Sequence, residues 1–241
     1  IFMEERKYRD HFDLRGIIGD EQPFYANIGI GQVEKALFKH DYDKILLMID
    51  ELRADGLIIH VNPIQEWLQP EGDVIARPPI ETIQEFIEKS NVKVVIKEVG
   101  QGIGPASLKA LLKLPLEGIE FGAFGGTNFA KVELERNEGS SRELYEPLAY
   151  VGNDAYEMID NVNEILSASQ NVWSKYLIIS GGVRNFLDGH YLIEKSSIPA
   201  VYGQASQFLK YAREDYDVLK EFIEYQIKGL ELAKAYLKVK E

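Results

Sequence analysis

GLIIHVNPIQEWLQPEGD, residues 56–73, is the stretch that decides the fold. Leu57, Ile58 and Ile59 form a short apolar, partly β-branched run bracketed by Gly56 and Pro63, which predicts a buried strand ending at Asn62. Directly after it come His60, Asn62, Gln65 and Glu66. His60 and Asn62 project to the same side, because side chains on a strand alternate with period two. Polar groups gathered at the carboxyl end of a strand are the mark of a ligand site in parallel α/β folds. The amide of Gln65 suits substrate orientation, and the carboxylate of Glu66 suits a hard cation such as Mg²⁺. The plain alternative is a polar loop leading into a helix.

Outward from this stretch, strand and helix patterns alternate from residue 24 to the end. Strands are expected at FYANIGI (24–30), GLIIHVN (56–62), VKVVIKEV (92–99), GIEFGA (118–123), YLIISGG (176–182) and IPAVYGQ (198–204). Between them the apolar spacing predicts one helix over 32–53, and others over 80–90, 105–114, 155–170 and 185–196. A long polar loop containing ERNEGSSRE follows GIEFGA, and a helical tract broken into two closes the chain from about Ser206 to Lys238. Such a series calls for a parallel sheet, either doubly wound or closed as a (β/α)8 TIM barrel. Nearly every strand here ends in a polar residue or in glycines. A barrel gathers all strand ends on one face, whereas an open sheet concentrates them at one switch point, so the barrel is favoured. The expectation is a single domain over 1–241 with about six βα units. The first two strands would precede Ile1, since the opening segment IFMEERKYRDHFDLRGIIGDE is charged and strandless.

Composition narrows the partners. A net charge of −12 argues against nucleic acid, which calls for a basic face. An acidic protein that handles an anion needs a local cation, a metal or a placed lysine. The absence of cysteine excludes disulfide and thiolate chemistry and fits a cytoplasmic enzyme. No apolar run reaches the roughly 18 residues of a membrane span.

Other strand ends carry further candidates. Lys97 leaves an apolar strand and either reaches an anion or flavin ring, or snorkels to pair with Glu98. The glycines of VGQGIGP make only a weak dinucleotide signature. Gly125, Gly126 and Thr127 form either an anion-binding turn or an ordinary one. SGGVRN and YGQAS end the last two strands, the place where barrels build a phosphate site. A phosphate-bearing cofactor is therefore expected at Ser180, Gly181, Gly182, Gly203, Ala205 and Ser206, with Arg184 as a counter-charge or a cap. His11, His40 and His190 are expected at the surface, and Trp67 either walls the cleft or packs.

YANIGIGQ, HVNPIQEWLQPEGD, VVIKEVGQGI, GGTNFAKVE, SGGVRN and VYGQASQFL, in this order, resemble the type 2 isopentenyl-diphosphate isomerases. The resemblance implies a TIM barrel that interconverts isopentenyl and dimethylallyl diphosphates in isoprenoid biosynthesis. It implies reduced FMN, Mg²⁺ and NADPH as reductant, no nucleic-acid or membrane partner, and a homo-oligomer, tetramer or octamer. By position, Asn27, Lys97 and Thr127 would contact FMN, with Gly181, Gly182, Val183, Ala205 and Ser206 around its phosphate. Gln65 would bind substrate and Glu66 the Mg²⁺, while His60 and Asn62 would line the diphosphate pocket. These three, Gln65, His60 and Asn62, are the protein's candidate catalytic residues, although the acid/base role would fall to the reduced flavin. The family's N-terminal strands, its Met/Thr/Gly-rich flavin loop and its diphosphate-gripping basic residues have no counterpart in these 241 residues. Two other readings stay open: another FMN-binding TIM-barrel oxidoreductase, for which no His/Arg pair is visible, and a truncated, catalytically silent flavin-binding protein.

Overall fold

The computed structural model describes residues 6–136, 141–168 and 171–240. It is an α/β fold with six strands among the described residues, and the chain divides into two compact units, Ile1–Lys97 and Glu98–Glu241.

In the first unit β1 (Tyr25–Gly29), β2 (Gly56–His60) and β3 (Val94–Lys97) run parallel, with β2 between the other two. Their register aligns Asn27 with Ile58 and Val95, and Gly29 with His60 and Lys97. The pleat therefore sends Ala26, Ile28, Leu57, Ile59, Val94 and Ile96 to one face, and all six are buried. Burying both these strands and the apolar stripes of the helices, such as Val33, Leu37, Ile45, Ile83 and Phe86, makes the core of the unit. The opposite face carries Asn27, His60 and Lys97, none of them buried.

The helix expected over 32–53 is two helices, Ile30–Phe38 and Asp43–Glu51. Each ends in the same way. His40 and Arg53 take left-handed backbone (φ 54 for both), and the following amides, Asp41 and Ala54, donate back to the carbonyls of Ala36 and Ile49. This is a Schellman stop. Neither has the glycine that would announce it in sequence, and the apolar spacing runs on across the first break. Arg15, in the strandless opening segment, is buried at 5% exposure and donates to the carbonyls of Arg53, Gly19 and Gln22 and to Asp55. It ties that segment to the end of the second helix and the start of β2.

In the second unit β4 (Gly118–Glu120), β5 (Tyr176–Ser180) and β6 (Ala200–Gly203) are parallel, with β5 in the middle. Ile119, Leu177 and Ile179 are fully buried, as are Leu108, Met158, Ile159 and Val162 on the helices Pro105–Leu112 and Ala155–Ala168. Helix starts follow the sequence signals. Pro105 sits at a first-turn position, Asn185 accepts from the amides of Leu187 and Asp188, and Asp215 accepts from that of Val218. The final tract is two helices, Ser206–Ala212 and Tyr216–Tyr236, as expected.

Two further expectations need correction. The polar stretch after GIEFGA is partly helical, with Phe129–Arg136, Ser141–Tyr145 and a 3-10 turn at Glu146–Tyr150, residues 137–140 lying outside the described ones. His190 is not a surface residue: it is 6% exposed on the helix Phe186–Lys195, beside buried Gly189 and Leu192. Among the described residues no helix is long and apolar enough to cross a membrane.

Candidate active site

The candidate residues fall into two clusters, one in each unit. In the first, β2 ends at His60, the amide of Val61 donates to the Lys97 carbonyl at 2.7 Å, and Pro63 opens the helix Pro63–Leu68 with Asn62 as its cap residue. A helix brings the residues three and four after its cap onto the cap's own face, here Gln65 and Glu66. Nδ2 of Asn62 donates to Oε1 of Gln65 at 3.1 Å and to Oε1 of Glu66 at 2.9 Å. The other carboxylate oxygen of Glu66 accepts from the amide of Asp73 at 2.6 Å. That contact depends on the return of the QPEGD segment over the helix. A Cβ at Gly72 would stand 1.8 Å from the carbonyl oxygen of Glu66, so only glycine passes there. Asp73 in turn forms an ion pair with Lys35.

His60 lies in register between Gly29 and Lys97. Its Nδ1 is 3.3 Å from Oδ1 of Asn27. An amide oxygen only accepts, so the contact is a hydrogen bond in the tautomer that carries its proton on Nδ1. Burial pushes the His60 pKa below its ordinary 6.5, the ammonium of Lys97 pushes it the same way, and the carboxylate of Glu66 opposes both. The ring is thus neutral at neutral pH. The glycines of YANIGIGQ make room for this cluster: a Cβ at Gly29 would stand 3.0 Å from the His60 ring, and one at Gly31 would stand 2.6 Å from Cβ of Asp73.

The second cluster is built from backbone. Because Ser180 and Gly203 are register partners, the SGGV and GQAS segments leave β5 and β6 side by side, and Nε2 of Gln204 donates to the Val183 carbonyl at 3.4 Å. The loop after β4 closes against the first of them. A Cβ at Gly126 would be 3.0 Å from Cα of Gly181, and one at Gly125 would be 3.3 Å from Cα of Gly182. Gly181 and Gly182 both have positive φ (86 and 74), which leaves their amides at a bend. Within the described residues the amides of Gly181, Gly182 and Val183 donate to no acceptor. That is the polarity an oxyanion requires. Ser180 holds the base of the loop, its hydroxyl donating to Glu120 and accepting from the Gly122 amide. Thr127 and Ser206 are exposed, as are Ala205 and Arg184. Asn185, rather than Arg184, supplies the cap of the following helix.

In sequence Glu98 stands out only as a polar strand-end residue and a partner for Lys97. One of its oxygens accepts from three amides, those of Gly100 (2.7 Å), Gln101 (2.6 Å) and Gly102 (2.9 Å). The turn it holds lies against Thr127, whose carbonyl oxygen would be 2.2 Å from a Cβ at Gly100. The signal was an acid two residues before the first of three alternating glycines, Gly100, Gly102 and Gly104.

No family model matches the chain. It is 35% identical over 228 residues, 94% of its length, to an isopentenyl-diphosphate delta-isomerase of Nostoc sp.. Proteins of the same name from Rickettsia akari (30% over 222 residues, 92% of the chain) and Ignicoccus hospitalis (29% over 209 residues, 86%) are also similar. The chain is a relative of the isopentenyl-diphosphate delta-isomerases. It spans 62%, 61% and 56% of the lengths of these three relatives.

Proposed function

We propose that the protein is an FMN-dependent, type 2 isopentenyl-diphosphate delta-isomerase of isoprenoid biosynthesis. The observation that carries this reading is the 94% of the chain that aligns with the Nostoc protein of that name, a span that takes in both clusters. The donor chemistry is compatible with both cofactors. Three unpartnered amides on a glycine bend suit a phosphate monoester, and Gly181, Gly182, Val183, Ala205 and Ser206 would surround that of FMN, with Asn27, Lys97 and Thr127 toward the rest of the cofactor. Among the described residues no group of three His, Asp or Glu could hold a metal by itself. A single carboxylate is nevertheless a normal protein contribution to Mg²⁺, whose other positions go to phosphate oxygens and water. Glu66 has one bond to each oxygen and so keeps lone pairs for that role.

The reaction shifts a proton along a three-carbon allylic system without net redox change. Reduced flavin, maintained by NADPH, would supply the acid/base chemistry at the alkene. The chain's own side chains bind and orient. Glu66 would hold the metal that neutralises the diphosphate, and Gln65, which cannot titrate, would position the substrate. Neutral His60 would present a hydrogen bond without charge. Purification of the full polypeptide, with flavin absorbance followed by isopentenyl diphosphate turnover under reducing conditions with Mg²⁺, tests the proposal. Retained flavin without isomerisation overturns it.

A further inference from the structure

The loop that carries Gly125, Gly126 and Thr127 is held on both flanks by the segment 146–153, and Gln101 holds that segment. Nε2 of Gln101 donates to the carbonyls of Leu148 at 2.9 Å and Val151 at 2.7 Å. Both partners only accept, so the direction of the amide is settled and both of its protons are used. The Gln101 carbonyl accepts from the amide of Asn153 at 2.8 Å, and the Gln101 amide is one of the three bound by Glu98. A Cβ at Gly152 would stand 2.6 Å from that carbonyl oxygen, so the two stretches of backbone touch. From there the contacts run on to the glycine loop. The Asn153 carbonyl accepts from the amide of Phe124 at 2.9 Å, and the Ala149 carbonyl accepts from Nδ2 of Asn128. Phe124 and Asn128 flank residues 125–127, whose two glycines close against Gly181 and Gly182.

We propose that Gln101 is a positioning residue: it sets the 125–127 loop against Gly181 and Gly182, and so preforms the cradle that favours a flavin bearing a phosphate over one without. This rests on the FMN reading above. The Gln101 side chain bonds to neither glycine loop and acts through the segment that grips Phe124 and Asn128. A phosphate gains most from donors already aligned, because ordering loose amides costs entropy that offsets their hydrogen bonds. The ring and ribityl chain, which riboflavin shares with FMN, gain nothing from the cradle.

Glycine-selective ¹⁵N labelling of the full polypeptide tests the positioning without any ligand. In Gln101→Met, which keeps the volume and deletes both bonds, the amide signals of Gly125, Gly126, Gly181 and Gly182 should move. In Ser174→Ala, which also deletes a donor to two carbonyls of this unit, those of Leu111 and Leu114, they should stay in place. Titration by flavin fluorescence tests the consequence. Gln101→Met should weaken FMN binding about tenfold, the low end of what one hydrogen bond to a charged group is worth, and leave riboflavin binding unchanged. Ser174→Ala should shift neither. Asn128→Ser keeps a cap oxygen for the amide of Lys131 but deletes the donor to Ala149; it should act in the same direction, and it decides the matter where Gln101→Met does not fold. Unmoved glycine signals, an unchanged ratio of FMN to riboflavin affinity, or a Ser174→Ala variant that behaves like Gln101→Met overturns the proposal. A wild type that binds no FMN defeats the cofactor reading instead, and the glycine signals still decide the positioning.

Discussion

Replacing Glu98 by alanine removes the oxygen that receives the amides of Gly100, Gln101 and Gly102, of which the last keeps a second acceptor, the Gly122 carbonyl at 3.1 Å. Each orphaned donor costs about 1–3 kcal/mol when it stays shielded from water. The turn is half-buried, so water reaches part of it, and with two donors orphaned the expected loss is about 2–4 kcal/mol. Glutamine is the informative control. A single oxygen takes all three bonds, so Oε1 of a glutamine can occupy the same place, and Glu98→Gln should cost only about 1 kcal/mol. Equilibrium urea unfolding, followed by Trp173 fluorescence in a Trp67→Phe background, reads the unit that contains the turn. The pH dependence has a definite sign. Burial pushes the Glu98 pKa above its ordinary 4.5, against the pull of the three amides. Between that value and the raised one the folded state binds more protons than the unfolded state. The contribution of Glu98 to stability is therefore complete below pH 4.5 and falls as pH rises through the folded pKa, and Glu98→Gln should abolish this slope. An alanine variant within about 1 kcal/mol of wild type, or a glutamine variant as damaged as the alanine one, refutes the clasp.

Three further outcomes are expected. Lys97→Met should raise the His60 pKa and Glu66→Gln should lower it, read by NMR titration of the ring. Since the folded value lies below 6.5, His60's contribution to stability is complete above that pH and is lost as pH falls below it; equal signs for the two variants would contradict the assigned causes. Gly181→Ala combines a left-handed φ of 86 with a Cβ 2.1 Å from the Ala123 carbonyl oxygen and should cost about 2–5 kcal/mol. Gly203→Ala, whose Cβ meets only Ser180 at 3.6 Å, should stay within about 1 kcal/mol, and matching losses in thermal unfolding would refute the contrast. His40→Gly relieves a side chain held at φ 54 in a helix stop and should stabilise by about 0.5–1 kcal/mol, measured as a rise in the urea midpoint.

What sequence reveals and conceals follows from the range of each interaction. All six strands were legible, because a strand buried on one face or both writes its apolar run locally. Helix starts were legible where Pro105, Asn185 and Asp215 stand at them. The break at His40 was hidden, since a Schellman stop without glycine leaves no local mark and the apolar spacing continues across it. Buried Arg15 was hidden for another reason: its main partners, the Arg53 carbonyl and Asp55, lie 38 and 40 residues away. His190 looked like a polar residue on a helix, and only the tertiary fold shows that its position faces inward.

The candidate site divides along the same line. The residue types of HVNPIQE and SGGV could be read as binding chemistry, but their donor and acceptor directions could not, because direction is set by partners. Asn62 illustrates the difference. By type it was one of four polar residues at a strand end, interchangeable in role with His60. In the structure its amide nitrogen bridges two side chains within the next turn of helix, while the amide of Asp73, delivered by the bend at Gly72, occupies the far oxygen of Glu66. Two constraints on one carboxylate leave it little rotational freedom, and each additional fixed bond lowers the entropy that binding any ligand there would cost. The QPEGD segment therefore belongs to the site through its backbone, although Asp73 spends its side chain on Lys35.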